Sequence, residues 1–274
     1  GAPPCFVSCD GNAEGRFYDC ANCPWMRVVP AGSAMLGSPA TEAKRGGDEK
    51  APREVVFARP FAMGVYEVTA AEWAACVRDK ACRGIAGWAK ENPNPLIPAA
   101  GLSYEDAQAF VAWLSVQSGL AYRLPTEDEW EYAARGGLDR AEFAWGDELV
   151  PDSRHRANTW QGRFPTENLA LDGYEGTSPV TAFPPNGHGL YDMIGNVWEW
   201  TEDFWSDKHQ AVQSCCGPKN PRGGIAAESF DPRMPNIRIP RKVLKGGSHL
   251  CAPEYCHRYR PAARSSQSQD SATT

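Results

Sequence analysis

The sequence predicts an irregular, loop-rich α+β domain with three short helices, and three observations predict it. With 26 glycines and 23 prolines among 274 residues, turn and breaker residues recur too often for long regular elements. Three Ser/Thr-x-x-Glu/Asp signatures, at Thr69, Ser103 and Thr126, each open a helical stretch as a capping box. The extended runs between them are short and bounded by turn residues. A chain of this length buries a real core, as one large domain or two small ones.

In chain order, residues 1–24 form a Cys- and Gly-rich extension, and the main domain is expected over residues 25–274. Extended runs fall at 26–29, 55–57, 61–65 and 197–200. A helix follows Thr69. After Ser103, Ala107, Phe110, Val111 and Leu114 share one helical face and Gly119 supplies the stop. After Thr126 a short helix carries Trp130, Ala133 and Ala134 and ends at Gly136-Gly137. Residues 265–274 are rich in Ser, Thr and Gln, so composition predicts a disordered tail. There is no internal repeat.

A net charge of −6 argues against a nucleic-acid or anionic-membrane surface. No apolar run reaches the length of a membrane span, and no signal-peptide core stands at the start. The ten cysteines fall into local pairs: 5/9, 20/23, 76/82, 215/216 and 251/256. Local pairing predicts short-loop disulfides and an exported location, periplasmic, secreted or in a secretory-pathway lumen. Cys20-Ala-Asn-Cys23 has no second CxxC to complete a zinc ribbon, which favours a structural role.

Cys251 and Cys256 stand apart. Five residues separate them, a spacing that disperses two thiols around a helix and across a strand. Pro253 bars a regular helix and pushes Ala252 towards extended backbone. The two thiols therefore meet only across a turn, as a disulfide or as a two-thiolate metal or redox centre. His249, Cys251, Cys256 and His257 lack the pair spacing of a Cys2His2 zinc site. His155, His188 and His209 show no cluster, and no GxSxG supports a serine hydrolase.

Several segments resemble the formylglycine-generating enzyme (sulfatase-modifying factor) family. Val29-Pro-Ala-Gly-Ser-Ala-Met-Leu-Gly-Ser38 and Phe61-Ala-Met-Gly-Val-Tyr-Glu-Val-Thr69 are similar to its opening strands. The segment from Arg123 to Gly137 resembles its central helix, and Asn186-Gly-His-Gly-Leu-Tyr-Asp-Met-Ile-Gly-Asn-Val-Trp-Glu-Trp200 its main fold signature. More selective are Asn158-Thr-Trp-Gln-Gly-Arg-Phe-Pro165 with Asp172-Gly-Tyr-Glu-Gly-Thr177, and Gly246-Gly-Ser-His-Leu-Cys-Ala-Pro-Glu-Tyr-Cys-His-Arg-Tyr-Arg260 with Pro261-Ala-Ala-Arg264. Three departures stand out. Residues 88–98 replace a Trp-Arg-His-Pro-like stretch, Ala252 stands where a histidine is common between the two cysteines, and the family pattern runs on past Thr274 into a further strand.

The resemblance implies a single, distantly C-type-lectin-like domain. It also implies an oxidase that acts on a sulfur group with O2 as acceptor, converting a cysteine in a CxPxR-type motif of a client sulfatase to Cα-formylglycine. Cu(I) would be held by Cys251 and Cys256, and soft thiolates suit that ion. Ser248, Trp198, Tyr255 and Arg264 match the family's site residues. Ca2+ is implied twice: at Asn158 and Asp172 with the carbonyls of Thr159 and Tyr174, and at Asp192 and Glu199 with those of Gly195 and Val197. Such mixtures of hard oxygens suit calcium. The expected partners are the client sulfatase or its peptide and molecular oxygen, with neither nucleic acid nor membrane, and the chain is expected to be a monomer. Two alternatives use the same fold: a non-catalytic binding or assembly module, and a related oxidoreductase with another substrate. An iron-dependent version of the latter needs a clustered histidine set that the sequence lacks.

Overall fold

The structure is a computed structural model, and it describes residues 15–85, 94–207, 223–231, 233–234 and 236–272. Among the described residues, three small antiparallel sheets and three α-helices make up the frame. The first sheet has the order β1-β2-β5: β1 (Arg16–Phe17), β2 (Met26–Val29) and β5 (Phe61–Gly64). β3 (Gly32–Leu36) and β4 (Arg53–Phe57) form a hairpin. β6 (Glu199–Phe204), β7 (Arg241–Lys245) and β8 (Ser265–Ser268) form the third sheet, in the order β6-β7-β8.

All three predicted helices form, each behind a complete capping box: α1 (Ala70–Arg78) after Thr69, α2 (Tyr104–Ser118) after Ser103 and α3 (Glu127–Arg135) after Thr126. In each, the cap hydroxyl accepts from the backbone N–H of the third helical residue. That residue's carboxylate in turn accepts from the cap N–H, so two orphan donors are satisfied at once. Gly119 and Gly136 close α2 and α3 in the left-handed conformation.

The main core lies where α3 packs on the β3–β4 hairpin. Val29, Leu36, Val55, Phe57, Trp130 and Leu190 are buried together there, with Phe57 stacked on Tyr132. Nearly all of α3 is buried, acidic residues included, so ion pairs must accompany it. Glu131 pairs with Arg135, and Glu127 and Asp128 with Lys50, Arg53 and Arg264. A second cluster joins α1 to α2 around Trp73, Phe110 and Trp113, and it contains both described disulfides. These are Cys20–Cys23 and Cys76–Cys82, two of the predicted local pairs. The pairs 5/9 and 215/216 lie outside the described residues.

Two expectations need correction. Residues 265–268 are not a disordered tail: they form β8, register-paired with β7 from Arg241↔Ser268 to Leu244↔Ser265. Polar composition misleads here because the strand takes its order from backbone pairing, and its side chains are only partly buried. The extended run expected at 197–200 is displaced along the chain, since pairing with β7 begins at Glu199↔Lys245. No helix among the described residues is long and apolar enough to cross a membrane.

Candidate functional site

β7 leads directly into the site. It delivers Gly246 and Gly247 to a tight passage beside Tyr259. A Cβ on Gly247, where φ is 76°, would stand 3.0 Å from the Tyr259 Cβ. Only glycine accepts both the left-handed backbone and that approach. The passage sets Ser248, 1% exposed, beside Cys251, 2% exposed. The Cys251 N–H donates to the Ser248 carbonyl (2.9 Å), and the Ser248 hydroxyl and N–H both hydrogen-bond the Cys251 sulfur. Residues 252–256 then turn, with the N–H groups of Tyr255 and Cys256 donating to the Ala252 carbonyl at 3.1 and 2.8 Å.

The turn closes on itself as the spacing required. Cys251 and Cys256 are free thiols in hydrogen-bond contact with each other, so of the two readings left open the disulfide is not the one adopted. The shared hydrogen bond, reinforced by burial, pushes the Cys251 thiol up. The same bond holds Cys256 down, helped by the Arg258 N–H and guanidinium. Cys256 is thus the member poised to carry charge. Arg258 was not singled out in the sequence; its only signal was its place two residues after the second cysteine.

The other implied site residues divide. Trp198 packs against both the thiol cluster and the Tyr104–Trp200–Leu244 cluster, so it forms a wall shared by site and core. Tyr255 is 69% exposed and its ring stacks on Phe164 at 4.5 Å, facing outward from the turn. Arg264 is 3% exposed, with its guanidinium committed to Glu127 and to the carbonyls of Asp48 and Ser206. It is therefore no solvated surface residue. A groove of about 390 Å³ lies beside the turn, lined by Leu149, Val150, His155, Trp160 and Pro253 among others. Trp160 ties it to the site by donating its backbone N–H to the Cys251 carbonyl (3.1 Å).

The histidines next to the thiols are turned elsewhere. His249 meets the Asn196 carbonyl and His257 meets Glu142, which dismantles the zinc arrangement. Among the described residues no group of three His, Cys, Asp or Glu side chains converges closely enough to hold a metal by itself.

The two implied calcium sets differ. At the first, Asp172 accepts from the N–H groups of Thr159 (3.0 Å) and Tyr174 (3.0 Å) and from the Gln161 side chain (2.7 Å), which also donates to the Thr159 carbonyl. Asn158 donates to Gly176 and Asn196, and no orphaned oxygen marks this set. At the second, both carboxylate oxygens of Asp192 are buried without a hydrogen-bond partner. Burial and the neighbouring Glu199 carboxylate push Asp192 up, and burial lifts Glu199 to about 7. Glu67 completes this pocket: it is raised by burial and then by Asp192 and Glu199. The sequence placed Glu67 in an opening strand with no role, because nothing local signals that it folds against residues more than 120 positions later. Asp192 is the member of this set with oxygens to offer a divalent cation. Glu67 is engaged by Asn196 and Val197 and Glu199 by Trp130, the three carboxylates do not converge as a cage, and backbone carbonyls such as those of Gly195 and Val197 would have to make up the donor number.

Comparison with known proteins agrees with this frame. A family model described as a sulfatase-modifying factor enzyme 1-like domain matches residues 16–274. A formylglycine-generating enzyme of Mycobacterium tuberculosis is 52% identical over 180 residues, 65% of this chain and 54% of the relative, so the chain spans about half that relative's length. A mouse protein named inactive Cα-formylglycine-generating enzyme 2 is 36% identical over 251 residues, covering 76% of each chain. The solved structure of PvdO from Pseudomonas aeruginosa superposes with a TM-score of 0.75 at 31% identity over 94% of both chains.

Proposed function

We propose, for a chain that belongs to the sulfatase-modifying factor family over residues 16–274, that it oxidises a cysteine of a client sulfatase to Cα-formylglycine at Cys251 and Cys256. The observation that carries this reading is the pair of free, mutually hydrogen-bonded thiols on one turn, beside an apolar groove. Two soft sulfur donors fit Cu(I), which when bound would supply the one-electron and oxygen chemistry that side chains lack.

The chain's own residues supply the rest. Ser248 orients Cys251, and Arg258 stabilises negative charge on Cys256. The groove takes the client segment in extended form, with Trp160 and Pro253 presenting apolar surface to a CxPxR-type motif. Burial of Cys251 keeps bulk water from the reacting sulfur. The client's S–Cβ unit gives up two protons and two electrons, which reduce O2 to hydrogen peroxide, and water hydrolyses the resulting thioaldehyde to the aldehyde with release of hydrogen sulfide. A divalent cation, calcium by the hardness of its donors, would neutralise the Glu67–Asp192–Glu199 pocket.

The two disulfides favour an oxidising, exported setting. A second reading, a module without chemistry on the same fold, draws on the relative named inactive, which matches over three quarters of this chain. A CxPxR peptide incubated with the protein, Cu(I) and oxygen separates the two: the oxidase converts the thiol to an aldehyde by mass, and the module leaves the peptide unchanged.

A further inference from the structure

Between the carboxylate pocket and the dithiol turn stands one fully buried residue, Asn196. Its side-chain amide is saturated. Nδ2 donates to Glu67 Oε2 (2.6 Å) and to the Ser178 carbonyl (3.2 Å), and Oδ1 accepts from the Ser178 N–H (2.9 Å) and Asn158 Nδ2 (3.3 Å), with the Ser178 hydroxyl in longer contact at 3.4 Å. That is the whole capacity of an amide, two donors and two lone pairs. Its backbone is as fully engaged: N–H donates to the Asn158 carbonyl (2.9 Å), and the carbonyl meets both the backbone N–H (2.9 Å) and ring Nδ1 (3.0 Å) of His249. A carbonyl only accepts, so the proton of His249 sits on Nδ1. The φ of 53° that permits these directions is tolerated by Asn better than by most side-chain-bearing residues.

His249 lies between Ser248 and Cys251, so a continuous path of hydrogen bonds runs from Glu67 through Asn196 to the turn that sets the thiols. Neither end can shift without breaking a bond in a buried, saturated network, where an unmade bond is expensive. We infer that Asn196 is a positioning residue that couples the geometry of the Glu67 carboxylate pocket to the Cys251–Cys256 turn. The thiols are held close because His249 is held, and His249 is held because Asn196 is anchored on Glu67. The coupling bears on the proposed function only in that this dithiol is the working site.

The test is the thiol–disulfide equilibrium of the full chain in glutathione buffers containing a chelator. There the two thiols and one glutathione disulfide exchange for one protein disulfide and two glutathione thiols, with no client and no copper present. Glu67→Gln keeps an oxygen for the Val197 N–H but turns an NH2 towards that of Asn196. Loosening the turn lowers the effective concentration of one thiol at the other, so the equilibrium should move about tenfold towards the dithiol. His249→Ala removes the ring bond but keeps the backbone N–H bond to Asn196, so it should move the equilibrium in the same direction by less, and the double variant should fall short of the sum of the two single shifts, since both weaken one path. Glu72→Gln, which weakens the α1 capping box without touching this path, should stay within about twofold of the wild type. Asn196→Asp, which sets a carboxylate against Glu67, makes the same prediction as Glu67→Gln should that variant not fold. Wild-type equilibrium in these pocket-side variants, or additive shifts in the double variant, overturns the coupling. Either result leaves the peptide-conversion assay untouched.

Discussion

Replacing Arg264 by alanine should destabilise the fold by about 4 kcal/mol, and the figure follows from its contacts. Arg264 Nε and Nη2 lie 2.9 and 3.0 Å from the two oxygens of Glu127, and both side chains are about 2% exposed. Its remaining nitrogen donates to the carbonyls of Asp48 (3.1 Å) and Ser206 (2.7 Å). Removing one member of a buried pair costs about 3–5 kcal/mol, because the other charge stays behind unpaired. Lys50, 3.0 Å from Glu127, softens that loss, while the two stranded carbonyls add to it. Arg264→Lys keeps the charge but loses the fork, and about half the loss should remain. Burial opposes ionisation of Glu127, yet Arg264 and Lys50 together hold its carboxyl well below the ordinary 4.5. A depressed carboxyl stabilises above its unfolded value, and that contribution fades as pH falls through 4.5 towards the folded value. The gap between wild type and Arg264→Ala in urea melts should therefore be full at pH 7 and shrink steadily in acid. A loss under about 1 kcal/mol at pH 7, or a gap that does not change with pH, refutes the reasoning.

Other outcomes follow from the same contacts. In chelator at pH 8, Glu199→Gln should be more stable than the wild type by about 3 kcal/mol, because a carboxyl lifted to about 7 must ionise inside the fold. That cost is present above the folded value and gone below 4.5, so thermal melts near pH 4 should coincide, and equal stability at pH 8 would count against a strained pocket. Gly247→Ala should lower stability by about 2–4 kcal/mol in urea melts, from a left-handed backbone plus contact with Tyr259. Phe164→Ala removes the ring under Tyr255 and should raise KM for a client peptide with less effect on kcat; a loss in kcat alone would place the stack elsewhere in the cycle.

Much of this was legible because it is written locally. A capping box spans four residues, and all three form where the sequence sets them. The Cys251–Cys256 turn is equally local, since Pro253 and a five-residue spacing leave few ways to fold. What escaped is long-range. Glu67 gains its meaning from Asp192 and Glu199, and Asn196 from Glu67 and His249, pairings that no window of sequence contains. β8 escaped for a related reason: its order comes from the backbone of β7, not from its own polar side chains. Arg264 was legible as a motif position but not as one half of a buried ion pair, because its partner Glu127 lies 137 residues away.

Cys251 and Cys256 are proposed to act together as the two-thiol centre at which oxygen oxidises the client cysteine. The most direct measurement is mass spectrometry of a CxPxR peptide after incubation with Cu(I), oxygen and either the wild type, Cys251→Ala or Cys256→Ala. The wild type should convert the thiol to the aldehyde, and each variant should lose at least a hundredfold in rate, as expected when a group in direct contact with the reacting atoms is removed. An unchanged peptide with the wild type, or full conversion by either variant, would contradict it.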